Sequence, residues 1–148
     1  MKIVSVILAR GGSKGIHNKN IIDLKGKPLI QYSIEESLSS NADETWVSTN
    51  CLRIKDISQK CGANVLDRPE EIATDTSSSE EALLHFSNNI DFDILVFLQP
   101  TSPLILATDI NAGINLLLQG LPLNHTEQIP ICGLFKSSLF NPKLYNIA

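Results

Sequence analysis

Ile3-Val4-Ser5-Val6-Ile7-Leu8-Ala9-Arg10-Gly11-Gly12-Ser13-Lys14-Gly15 decides the fold of this chain. Ile3 to Leu8 is a nearly continuous apolar, β-branched run, which reads as a strand buried on both faces of a sheet. It empties into a loop carrying Gly11, Gly12 and Gly15 with Arg10 and Lys14, followed by Lys19-Asn20. Glycine lets backbone N–H groups turn toward an anion with no Cβ in the way. Arg10 can fork onto two phosphate oxygens, and Lys14 and Lys19 add point charges. The pattern predicts a phosphate-rich ligand at the end of the first strand.

The spacing excludes two familiar phosphate loops. A Walker loop needs Gly, four residues, then Gly-Lys-Ser/Thr, and no glycine here begins that pattern. Gly11-Gly12-Ser13-Lys14-Gly15 also fails the Gly-x-Gly-x-x-Gly dinucleotide fingerprint. No helix signal appears before Pro28, and a structureless stretch of that length is usually functional.

Charge points the same way. The chain carries a net −4, yet Arg10 to Lys27 holds five basic residues against Asp23 alone, a +4 island on a remainder of −8. A local basic island suits a small polyanion, whereas DNA would require a broadly basic face.

Outward from the loop, strands and helices alternate. Pro28 marks a first helical turn, followed by Leu29, Ile30, Ile34 and Leu38 at helical spacing. Thr45 to Ser48 reads as a second strand. Ile54, Ile57 and Cys61 give a second helix, stopped by Gly62. Val65-Leu66 is a short third strand ending at Arg68-Pro69. Ser77 with Glu80, or Ser78 with Glu81, forms a capping box before Ala82, Leu83 and Phe86. Ile94 to Leu98 is a fourth strand, ending at Gln99-Pro100-Thr101-Ser102-Pro103. Ile110, Ile114 and Leu117 mark a further helix, and Ile129 to Phe135 a further strand. Such alternation predicts an α/β domain with a mainly parallel sheet between helix layers. Ligands of these sheets sit at the carboxyl ends of the strands. Three polar clusters fall there: Arg10 to Asn20, Arg68-Pro69, and Gln99 to Pro103.

At 148 residues the chain is expected to be a single domain, and its 43% hydrophobic content fits a real core. No apolar run reaches transmembrane length and no signal-peptide cleavage pattern is evident, so a cytoplasmic protein is expected, with no membrane partner. Cys51, Cys61 and Cys132 read as ordinary reduced thiols. His17, His85 and His125 share no metal-ligand spacing with them.

The three clusters, in this order, resemble the acylneuraminate cytidylyltransferases, the CMP-sialic acid synthetases and their legionaminic-type relatives. The matching pieces are Ala9 to Ile16 with Lys19-Asn20-Ile21, Gly26-Lys27-Pro28-Leu29-Ile30, Val47-Ser48-Thr49, Arg68-Pro69 with Ala73-Thr74-Asp75-Thr76 and Ser78-Ser79, and Leu98 to Leu104. The resemblance runs almost continuously from Lys2 to about Leu118. It implies a nucleotide-diphospho-sugar transferase (Rossmann-like) fold. It also implies transfer of CMP from CTP to a nine-carbon 2-keto sugar acid, with release of pyrophosphate.

Carried over by position, the resemblance makes Arg10, Lys14 and Lys19 the triphosphate and catalytic cations. Gly11, Gly12, Ser13, Asn20, Arg68 and Ser79 join Arg10 and Lys14 as nucleotide contacts, and Gln99, Thr101 and Ser102 become sugar contacts. Each assignment has a plainer alternative. Arg68 could pair with Glu70 or Glu71, Gln99 could merely end a strand, and Ser79 could only start a helix. The resemblance further implies Mg²⁺ and a homodimer. The family often has Asp where this chain has Asn50. Its dimerisation arm and late Asp-x-Asp metal ligands come from beyond the length of this chain. Residues 1–148 are therefore expected to be one nucleotidyltransferase domain of a truncated or partial member, with no metal ligands of its own and poor turnover alone. Asp91 and Asp93 precede a strand at the end away from the ligands, and Asp75 and Asp109 read as an isolated turn residue and a helix-start residue. Two alternatives remain open: a non-catalytic nucleotide-binding remnant, and a KDO-type cytidylyltransferase.

Overall fold

A computed structural model describes residues 1–120 and 133–137 of the chain. Ile3–Leu8 forms β1, the middle strand of a five-stranded sheet, buried throughout except at its last residue. On one side β1 pairs in parallel with β4 (Glu44–Thr49), and β4 with β5 (Asn64–Asp67). On the other side it pairs in parallel with β6 (Ile94–Leu98), and β6 pairs antiparallel with β7 (Gly133–Lys136). The chain thus builds outward from β1 to β5, then crosses back to the far side of β1. Sheets of this kind bind ligands at the carboxyl ends of their strands.

Alternation along β1 explains the two layers, because successive strand side chains point to opposite faces. Ile3, Ile7 and Ala9 join a core with Ile30 and Ile34 of α1 (Leu29–Leu38), Ile54 of α2 (Leu52–Lys60), and Ile110 and Ile114 of α4 (Ala107–Leu118). Val4 and Val6 face Leu83 and Phe86 of α3 (Ser79–Asn89) on the opposite side. There the Trp46 and Phe86 rings meet edge to face at 6.0 Å. Ser5 is the polar exception in β1. It is fully buried and bonded to Ser37 of α1, which in turn meets Thr45 of β4 at 2.7 Å. A buried hydroxyl with partners on two elements fixes their register without an orphaned polar atom.

Most expected elements are present within a residue or two. Gly62 follows the end of α2 at φ +99°, a conformation that favours glycine, and the capping box at α3 is the Ser78–Glu81 pair. The stretch before Pro28 differs from expectation. It contains a 3-10 turn over Lys19–Ile21 and a small hairpin, β2 (Asp23–Leu24) with β3 (Lys27–Pro28). Lys25 and Gly26 both have positive φ, as a two-residue hairpin turn of this hand requires. Pro28 accordingly ends β3 with ψ 139° and stands just outside α1 instead of in its first turn. Of the further strand, Gly133–Lys136 is described as β7; Ile129 to Cys132, with His125, lie outside the described residues. No described helix is long and apolar enough to cross a membrane.

Candidate functional site

The carboxyl end of β1 is extended by one more ladder bond, Ala9 N–H to the Ser48 carbonyl at 3.0 Å, so Arg10 leaves the sheet from a fixed backbone. Two side chains then hold the loop. The Asn20 side-chain amide donates to the Arg10 carbonyl at 3.0 Å, folding the 3-10 turn back onto the loop. The Gly11 N–H donates to Asn50 Oδ1 at 2.8 Å, and Asn50 Nδ2 donates to Glu70 Oε2 at 2.9 Å. Gly11 is a glycine for reasons of space: a Cβ there would stand 3.0 Å from the Cβ of Cys51. Gly12 is one for conformation, at φ +69°. Gly15 meets neither demand, since a Cβ there faces open space.

Two of the predicted cations converge. Arg10 Nη1 lies 2.9 Å from one Asp75 carboxylate oxygen and Lys14 Nζ 3.2 Å from the other. Asp75 is therefore a turn residue, as expected, but not an isolated one. Its turn is tied by Thr74 and Ser77, whose side-chain oxygens lie 2.8 Å apart, with Ser77 Oγ also accepting the Thr74 N–H at 3.0 Å. Lys14 first, and Arg10 after it, hold the Asp75 carboxyl below its ordinary range. Lys14 is 80% exposed against 31% for Arg10, so Arg10 is the better-desolvated partner of the Asp75 carboxylate.

Arg68 meets neither Glu70 nor Glu71. It is buried, with Nε donating to Ser48 Oγ at 3.0 Å and Nη2 to the Ser48 carbonyl at 2.9 Å. Burial first, and the charge of Arg10 second, lower its pKa to about 10, which leaves it protonated at neutral pH. Its own burial first, and the charge of Arg68 second, push the imidazole of His85 down.

Arg10, Gly11, Gly12, Asn50, Cys51, Glu70, Ala73, Thr74 and Asp75 line an open cleft of about 430 Å³. Of the predicted site residues, only Arg10, Gly11 and Gly12 line it directly. Lys14 reaches it through Asp75, and Asn20 and Arg68 support its walls. Ser13 is half-buried beyond Gly12, and Lys19 is exposed at the start of the 3-10 turn. Ser79 is the exposed first residue of α3. Gln99 and Thr101 are exposed and Ser102 half-buried after β6, on the other side of β1 from the cleft. Asn50, Cys51, Glu70, Thr74 and Asp75 were not singled out as binding residues by their sequence pattern.

Among the described residues no group of three or more His, Cys, Asp and Glu side chains could hold a metal ion. The nearest carboxylates do not fit one: Asp75 is taken by two cations and Glu70 by the amide of Asn50. Asp93 binds the Lys2 N–H at 2.6 Å, at the amino end of β6, and Asp109 caps Leu106 at the start of α4.

A family model described as cytidylyltransferase matches residues 4–130. The N-acylneuraminate cytidylyltransferase of Escherichia coli O18:K1:H7 is 42% identical over 117 residues, 78% of this chain and 28% of that protein. The CMP-N,N'-diacetyllegionaminic acid synthase of Legionella pneumophila is 42% identical over 110 residues, 70% of this chain and 47% of that protein. Among solved structures, CMP:2-keto-3-deoxy-manno-octonic acid synthetase complexed with CTP superposes with a TM-score of 0.69 at 31% identity, over 81% of this chain and 47% of that one. The chain spans less than half the length of each of these proteins. The family match runs from β1 through α4, and the chain belongs to the cytidylyltransferase family.

Proposed function

We propose that residues 1–148 form the nucleotide-binding part of a cytidylyltransferase that joins CMP, from CTP, to a nine-carbon 2-keto sugar acid of the sialic or legionaminic type. One observation carries this reading: Arg10 and Lys14 meet on a single carboxylate, that of Asp75, at the carboxyl end of β1. Two cations aimed at one pair of oxygens are arranged as a phosphate group would need them. A triphosphate entering the cleft displaces Asp75 and takes its place.

In the reaction, the anomeric hydroxyl oxygen of the sugar bonds to the α-phosphorus and the bond to the β-phosphate bridge breaks. Pyrophosphate departs and the hydroxyl proton passes to solvent. Arg10, Lys14 and Lys19 stabilise the charge that builds on the phosphate oxygens and the leaving group. Gly12 and Ser13 carry the loop past the phosphates, Arg68 adds its charge from the wall behind Ser48, Ser79 is the nucleoside contact that the resemblance implies, and Asn20 keeps the Arg10 backbone in place. Gln99, Thr101 and Ser102, separated from the cleft by the end of β1, suit a distinct subsite for the sugar acid. The names of the two curated relatives support the nine-carbon class.

Pyrophosphate release is the test, with CTP and Mg²⁺ and with N-acetylneuraminic, N,N'-diacetyllegionaminic or 2-keto-3-deoxy-manno-octonic acid in turn. The expected result is release, slow for the 148-residue chain by itself, that needs CTP and one of the nine-carbon acids. Equal release with ATP, or release without any acid, would refute the reading. CTP binding with no release for any acid would reduce it to nucleotide binding alone.

A further inference from the structure

Strand order puts one residue in reach of both walls of the cleft. β4 lies between β1 and β5, so the residue following β4 stands between the loop after β1 and the loop after β5. That residue is Asn50. Its Oδ1 takes the Gly11 N–H on one wall at 2.8 Å, and its Nδ2 donates to Glu70 Oε2 on the other at 2.9 Å. The two partners fix the orientation of the amide. A backbone N–H demands an acceptor and a carboxylate demands a donor, so neither side tolerates the flipped amide.

We propose that Asn50 is a positioning residue, an amide clamp matched to the charge of Glu70, which sets the gap between the Arg10 loop and the Asp75 loop. It touches no reacting atom; it acts through Gly11 on one side and through the turn that begins at Glu70 on the other. An amide is required because Glu70 is an acid. With Asn50→Asp the new carboxylate still accepts the Gly11 N–H, but its second oxygen then faces the Glu70 carboxylate, and two like charges at hydrogen-bond distance repel. The requirement is therefore for one donor and one carboxylate across the gap, not for asparagine itself. Asn50→Asp with Glu70→Gln exchanges the two roles. One oxygen of the introduced carboxylate accepts from Gly11, the other accepts from the introduced glutamine amide, and the local charge stays at −1. The link from clamp to ligand rests on the nucleotide reading above.

The test compares Asn50→Asp, Glu70→Gln and their combination, with Glu71→Gln as the control at the neighbouring exposed acid. The Gly11 amide resonance and its hydrogen-exchange rate report the clamp, and CTP titration reports its consequence. Asn50→Asp is expected to shift the Gly11 resonance, speed its exchange and weaken CTP about three- to tenfold, a modest loss because Glu70 is exposed and can swing into water. The double variant is expected to return both readouts close to wild type, and Glu71→Gln to change neither. A wild-type Gly11 signal in Asn50→Asp, or no rescue in the double variant, would overturn the clamp. Rescue of the Gly11 signal in a protein that binds no CTP in any form would uphold the clamp and refute the nucleotide reading instead.

Discussion

Arg10 and Asp75 make opposite predictions from a single contact. If the triphosphate displaces Asp75 from Arg10 and Lys14, Asp75 competes with the nucleotide and Arg10 binds it. Arg10→Ala removes a charge-assisted bond to phosphate, worth about 1.5–3 kcal/mol, which corresponds to roughly 10- to 150-fold weaker CTP binding. Loss of the Asp75 contact in the free protein offsets part of this, so the lower half of the range is expected. Asp75→Asn acts in the reverse direction. Lys14 is largely in water and Arg10 partly so, and the gain is correspondingly small, about two- to fivefold tighter binding. With Arg10 already removed, Asp75→Asn is expected to gain less than about twofold, because only the exposed Lys14 is then set free.

The pH dependence of that contact has a definite sign. Asp75 is held below its ordinary pKa of 3.8, so its contact is present above about pH 4 and is lost as pH falls through the lowered value. The Asp75→Asn gain is therefore expected to be flat from pH 5 to 8. Calorimetric titration of CTP into the four proteins at two pH values reads all of this. Weaker binding by Asp75→Asn would refute displacement and make Asp75 part of the binding site itself.

Three further outcomes follow from the geometry. Gly11→Ala drives a Cβ to 3.0 Å from the Cys51 Cβ and is expected to cost about 1–3 kcal/mol in urea unfolding; Cys51→Gly should relieve it and Cys51→Ala should not, since the clash is with Cβ and not with sulfur. Arg68→Lys keeps the charge but loses the fork onto Ser48, and is expected to lower stability by about 1–3 kcal/mol by the same assay; an unchanged midpoint would show that the fork is dispensable. Gln99→Ala is expected to raise the KM for the sugar acid more than that for CTP in a protein that turns over, and a selective rise for CTP would count against a separate sugar subsite.

The first strand, its glycine-rich exit and the alternation of β and α elements were legible because each rests on local pattern: a doubly buried strand is apolar at nearly every position, and a helix face repeats. The hairpin at Asp23–Leu24 and Lys27–Pro28 was hidden because each of its strands is two residues long, too short for any period to register. Lys25-Gly26 was its only local sign. In the site, basic residues next to glycine announced an anion loop, but Asp75 looked isolated because its partners are some sixty residues away in sequence and meet it only through the β1–β4–β5 order. Asn50 stood out only as a departure from a resemblance. That one side chain joins Gly11 to Glu70 is a property of strand order, which no window along the chain contains.

Backbone amide mapping during CTP titration asks whether a cytidine triphosphate sits on the loop after β1. The expected result is saturable shifts centred on Gly11, Gly12, Ser13 and Asp75, with Lys2 and Asp93 at the opposite end of the sheet unmoved, and markedly weaker effects from ATP at equal concentration. Shifts centred away from that loop, or the same shifts at the same affinity with ATP, would contradict it.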